Sequence, residues 1–133
     1  MKDALTAYLL AQAPLTGVIG QRLSWNERPQ AEGLPALGLA RVSAGISYHH
    51  GGATKLERAR VQADCWGRTG LDCEAVYAAL RTAVEAMHEV RAGTMLDRGF
   101  IEEPIDAPPE DLGGGQIVHR IIVDFFVWHS RQA

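Results

Sequence analysis

The stretch that most constrains the fold is residues 116–129, Q-I-V-H-R-I-I-V-D-F-F-V-W-H, fourteen positions with no glycine or proline and nine large apolar side chains. β-Branched and aromatic residues at this density suit a pleated strand. Successive side chains of a strand point to opposite faces of its sheet. One face then carries Ile117, His119, Ile121, Val123, Phe125 and Val127, continuous enough to lie beneath a layer of helices. The other carries Val118, Arg120, Ile122, Asp124, Phe126 and Trp128. That mixture of charge and large apolar groups belongs neither to an ordinary core nor to an ordinary wet surface.

Residues 57–69, E-R-A-R-V-Q-A-D-C-W-G-R-T, repeat the habit, with Ala59, Val61, Ala63 and Cys65 on one face and Arg58, Arg60, Gln62, Asp64 and Trp66 on the other. Cross-strand ion pairs on a half-solvated face would account for the charges, at about a few tenths of a kcal/mol each. They do not account for Trp66, Ile122, Phe126 and Trp128 on the side away from the helices, a patch that monomers seldom leave open. Subunit interfaces favour aromatic and arginine anchors, with charges fixing register. The sequence thus predicts an outer sheet face covered by a neighbouring subunit, using Arg58, Arg60, Asp64, Trp66, Arg120, Asp124, Phe126 and Trp128.

Around these strands, Leu5, Tyr8 and Leu9 give residues 3–12 a helical repeat that Pro14 stops. P-L-T-G-V-I-G reads as a turn that packs Leu15, Val18 and Ile19 onto the core, and 24–35 as an extended loop. A strand is expected over 36–43, with a slip of alternation between Leu39 and Val42 that suggests a bulge. Gly51-Gly52 invites a hairpin whose second arm is the strand from about 54 to 66. Thr69 and Asp72 form a capping box ahead of Val76, Leu80, Ala83, Val84 and Met87, a long amphipathic helix. Val90-Arg91 begins another strand, and the acidic, Pro- and Gly-rich run over about 102–115 reads as a flexible loop. The expected fold is one α+β domain over 1–133, a mostly antiparallel sheet of four or five strands with two helices on one face.

No catalytic constellation emerges. His49-His50 are adjacent on a hairpin and point apart, so they do not chelate one ion together, and His119 and His129 stand ten residues apart on one strand face. His88 ends a helix, where a cation suits the dipole. Gly113-Gly114-Gly115 precedes a strand rather than a helix, and Ser24, Ser43, Ser47 and Ser130 lie in no nucleophile elbow. Cys65 and Cys73 match no zinc spacing and are too few for a disulfide framework. No enzyme, metal or cofactor is expected. Asp3, Thr6 and Gln12 interrupt the apolar N-terminal run, so neither a signal peptide nor a membrane span is expected, and synthesis in the cytoplasm is. A net charge of −3 argues against gripping nucleic acid. Charge is unevenly spread: Lys55 to Arg68 is basic, while Glu102, Glu103, Asp106, Glu110 and Asp111 make an acidic stretch suited to partner contact, including contact between copies.

The chain resembles the tail-completion or tail-terminator proteins of tailed bacteriophages and gene transfer agents. The likeness covers most of the chain: Val18-Ile19-Gly20-Gln21-Arg22-Leu23 after the first helix, then Leu34-Pro35-Ala36-Leu37. It continues through Arg60-Val61-Gln62-Ala63-Asp64-Cys65-Trp66, the helix with Ala75-Val76, Leu80-Arg81 and Val84, and the strand ending Asp124-Phe125-Phe126-Val127-Trp128. The loop at 102–115 and His49-His50 depart from the pattern. The resemblance implies a virion structural protein made in a bacterial host that caps the tail tube as a ring, commonly a hexamer. Such a ring stops tube polymerisation and joins tube protein to a head-completion or connector protein, while DNA passes through the bore without specific binding. The alternatives are another particle component, such as a head-completion or tube subunit, or a small ligand-binding or enzymatic α+β domain using the histidine hairpin.

Overall fold

The computed structural model describes residues 1–26, 33–43, 56–111 and 117–131. In chain order the elements are α1 (Lys2–Leu10), α2 (Ala13–Ile19), β1 (Leu23–Trp25), β2 (Ala36–Ser43), β3 (Leu56–Gly67), α3 (Gly70–Glu85), β4 (Glu89–Arg91), β5 (Thr94–Ile101), β6 (Ile105–Asp111) and β7 (Ile117–Arg131). Helix α1 buries Ala4, Leu5, Tyr8 and Leu9, the face its repeat foretold. The segment expected to be a turn is instead the helix α2. Pro14 falls in its first turn, where a missing N–H costs nothing, and Leu15 and Ile19, one turn apart, are its buried residues. Gly20, at φ 60°, ends it. Helix α3 starts as expected: the Thr69 hydroxyl accepts a hydrogen bond from the Asp72 N–H at 3.1 Å, and Cys73, Val76, Leu80, Ala83 and Val84 are buried.

The seven described strands form one sheet of order β1-β2-β3-β7-β5-β4, with β6 also on β7. Only β1–β2 is parallel; the other pairings are antiparallel. Strand β7 is the axis. Its one edge pairs with β3 from Leu56↔Ser130 to Gly67↔His119, and its other edge takes β5 and β6 in tandem. The Glu102 N–H donates to the Asp124 carbonyl at 2.9 Å and carries the chain across the join. The stretch expected as a flexible loop over 102–115 is therefore a strand over Ile105–Asp111. Pro108 and Pro109 suggested otherwise because they cannot donate to a ladder. Here they sit on an edge strand, where the register shifts between Ala107 and Glu110. The expected architecture class holds, with three helices and seven strands among the described residues in place of two and four or five.

The helices cover one face. Leu37 and Leu39 of β2, Val61, Ala63 and Cys65 of β3, and Ile121, Val123, Phe125 and Val127 of β7 join α1, α2 and α3 in one buried cluster. The Tyr8 hydroxyl donates to the Ala83 carbonyl at 2.6 Å and ties α1 to α3. Ile117, expected under the helices, is 51% exposed and does not join the buried cluster. The slip expected in β2 is present between Arg41 and Ser43. The Gly51-Gly52 hairpin and His49-His50 lie outside the described residues.

Candidate interaction face

The register of β3 on β7 brings the anticipated residues together on the face away from the helices. Arg58 stands opposite Trp128, Arg60 opposite Phe126, Gln62 opposite Asp124, Asp64 opposite Ile122, and Trp66 opposite Arg120. The arginines lie over the aromatic rings. The Arg58 guanidinium carbon is 5.0 Å from the Phe126 centroid and 5.7 Å from that of Trp128, and Arg60 is 5.6 Å from Phe126. Arg60 also donates from Nε and a terminal nitrogen to Asp124 Oδ2 at 2.8 and 2.5 Å, and it stands 3.8 Å from Glu102. The hydrogen bonds to Asp124 are the first reason its guanidinium is held more firmly protonated than usual. Acidic stretch and basic strand therefore touch within one chain at Glu102, where contact between copies was anticipated.

Trp66 departs from expectation. It was expected to stand open on this face, but only 5% of it is exposed. Ala36, Val118 and Leu34 pack around it, and the Arg120 guanidinium covers the ring at 5.0 Å. Gly38 makes room: a Cβ there would already meet the indole nitrogen at 3.4 Å. Trp66 is thus the centre of a small satellite core within the chain. Beside it, Asp64 is half-buried, and its Oδ1 has no hydrogen-bond partner among the described residues. Burial pushes the Asp64 carboxyl above its usual range, against the pull of nearby Arg120.

Two members of the face were missed in the sequence. Phe100 pairs with Phe126 and is 68% exposed; Ile105 pairs with Ile122 and is 66% exposed. In unbroken alternation Phe100 would share the inward side of Leu96. The register shift between Asp97 and Phe100 turns it outward. Gly99 permits the shift, because a Cβ there would stand 2.3 Å from the Phe126 carbonyl oxygen and 2.8 Å from Val84 Cγ1. Phe100, Ile105, Ile122, Phe126 and Trp128 thus form an apolar field, exposed or half-buried, framed by Arg58 and Arg60. Such a field combines the aromatic and arginine side chains that interaction surfaces favour. Glu102, Glu103, Asp106, Glu110 and Asp111 are all exposed along β6 and its approach.

The remaining titratable groups are dispersed. His88 Nδ1 is 3.2 Å from Asp97 at the end of α3, and His129 Nε2 is 3.9 Å from Glu57. Burial lowers the His129 pKa. No group of three His, Cys, Asp or Glu among the described residues is placed to hold a metal ion. No helix among them is long and apolar enough to cross a membrane.

No curated protein matches the chain. Its fold matches a chain in the virion of a native gene transfer agent particle, with a TM-score of 0.69 and 15% identity, over 98% of this chain and 94% of the other. A second solved chain aligns over 99% of this chain and 90% of its own length at 17% identity, with a TM-score of 0.47. The family model for tail completion protein gp17 matches residues 3–130. With nearly the whole sequence inside that match, the chain belongs to the tail completion protein gp17 family and is a structural protein of a phage-type tail.

Proposed function

We propose that the chain ends the tail tube as a ring of identical subunits, six in number. The ring halts tube growth, presents a docking surface to the head-completion or connector protein, and lets DNA pass without binding it. The observation that carries this reading is the outer sheet face, where Phe100, Ile105, Ile122, Phe126 and Trp128 lie together with stacked arginines on the side that no described helix covers. Arg58, Arg60, Asp64, Arg120 and Asp124 set the register of the contact, with Trp66 supporting them from inside the protomer. The acids from Glu102 to Asp111 face a partner. A net charge of −3 suits a bore that passes DNA, because like charge prevents gripping. The reading requires no chemistry of the subunit. Its test is particle assembly without this protein. Tubes of uncontrolled length that fail to join heads support it; joined particles with tails of normal length refute it.

A further inference from the structure

We propose that closing the outer sheet face takes up a proton at Asp64, so that assembly of the chain strengthens as pH falls. The proposal rests on the reading that a neighbouring subunit covers this face.

Asp64 stands in the outer face at the border of the apolar field, directly opposite Ile122 and between the Gln62–Asp124 and Trp66–Arg120 pairs. Its place is crowded from β2 as well. Gly38 is its register partner there, and a Cβ on Gly38 would lie 3.8 Å from the Asp64 Cβ. The side chain is half-buried, and Oδ1 is enclosed with no hydrogen-bond partner among the described residues. An enclosed carboxylate oxygen without a donor disfavours the ionised form.

The groups around Asp64 do not reverse that balance. Strand β2 presents only Ala36, Gly38 and Ala40 to this face, and β6 adds Ile105 across Ile122. From β7 come Arg120, which favours the ionised form, and Asp124, which opposes it. The Arg120 guanidinium lies over the Trp66 ring at 5.0 Å, and Asp124 is held by Arg60. Within β3, a hydrogen bond from Gln62 also favours ionisation. Burial outweighs all of these.

A subunit laid over Phe100, Ile105, Ile122, Phe126 and Trp128 removes the water that still reaches Asp64. Because Oδ1 is enclosed within the chain, the partner cannot supply the missing donor by simple contact. Desolvation deepens, and the closed face binds a proton from solvent more tightly than the open one. The state that binds more protons gains as pH falls, up to about tenfold per pH unit for one proton. Assembly and protonation are thereby coupled through one carboxyl group.

Sedimentation velocity over a concentration series, at about pH 8 and about pH 5, compares the parent chain with Asp64→Asn. Circular dichroism confirms that both are folded at each pH. The parent is expected to associate at least about fivefold more tightly at the lower pH. Asp64→Asn, of the same size and neutral throughout, should associate more tightly than the parent at the higher pH and lose most of the dependence. His129 titrates in the same range but shares the inward side of β7 with Val127 and is common to both chains, so the difference isolates Asp64. Dilution calorimetry in buffers of unlike ionisation enthalpy needs no variant; it should count release of up to about one proton per broken contact. An equal pH dependence in Asp64→Asn, no proton exchange, or association that weakens as pH falls overturns the proposal and leaves the ring reading standing. A parent chain that stays monomeric at both pH values to roughly 1 mM overturns both.

Discussion

Replacing Gly99 with alanine tests the packing that turns Phe100 outward. The new Cβ would stand 2.3 Å from the Phe126 carbonyl oxygen and 2.8 Å from Val84 Cγ1, whereas an ordinary carbon–oxygen contact needs about 3.3 Å. One side must move by roughly 1 Å. Strand β7 is pinned by β3 on its other edge and α3 is packed into the core, so β5 must lift away. Overpacking of this kind costs about 1–3 kcal/mol, and each ladder hydrogen bond lost adds about 1 kcal/mol. A total of about 2–4 kcal/mol at roughly 4 °C per kcal/mol lowers Tm by about 8–16 °C. Gly17→Ala is the matched control. Gly17 lies inside α2 with nothing within 4 Å of its absent Cβ, so alanine should add about 0.5–1 kcal/mol of stability. Thermal unfolding by circular dichroism reads both variants, one down and one up. A Gly99→Ala melt within about 2 °C of the parent would show that the close approach is not what holds the bulge.

Other expectations concern charge and assembly. Asp64→Asn should stabilise the free protomer at neutral pH by about 1 kcal/mol, because burial disfavours the carboxylate and one of its oxygens lacks a partner; an unchanged or lower Tm contradicts this. His129 has a folded pKa below its unfolded value of about 6.5, so the unfolded state binds more protons in that window. Its contribution is therefore fully present above about pH 6.5 and lost as pH falls toward the folded pKa; His129→Gln should flatten that part of a Tm-versus-pH curve. Trp128→Asp should abolish assembly while leaving the far-ultraviolet circular dichroism of the subunit near normal, since the ring is only half-buried in the protomer; a collapsed fold would place it in the core instead. Lysines at Glu102 and Glu103 should weaken assembly in low salt and less in high salt, where exposed charges are screened.

The parts of the fold legible in the sequence were those governed by unbroken periodicity. Strands β3 and β7 and helix α3 carry long repeats, and their inward faces match the buried cluster along most of their length. The face shared by Arg58, Arg60, Phe126 and Trp128 followed from alternation alone. What stayed hidden depends on contacts distant in sequence. Phe100 comes to the outer face through the register shift within β5 and Ile105 through the break between β5 and β6, and each interruption reverses the side that alternation assigns. Strand β6 was masked by Pro108 and Pro109, which an edge strand accommodates and a central one would not. Trp66 illustrates the limit of face assignment. Its side of the sheet was read correctly, but its burial depends on Gly38 one strand away and on Arg120 folded over its ring.

The most direct test of the account is a density map of the assembled particle at side-chain resolution, read at the sheet face opposite the helices. The account predicts Phe100, Phe126 and Trp128 packed against protein from an adjacent copy. Those three side chains facing solvent in the mature tail would contradict it.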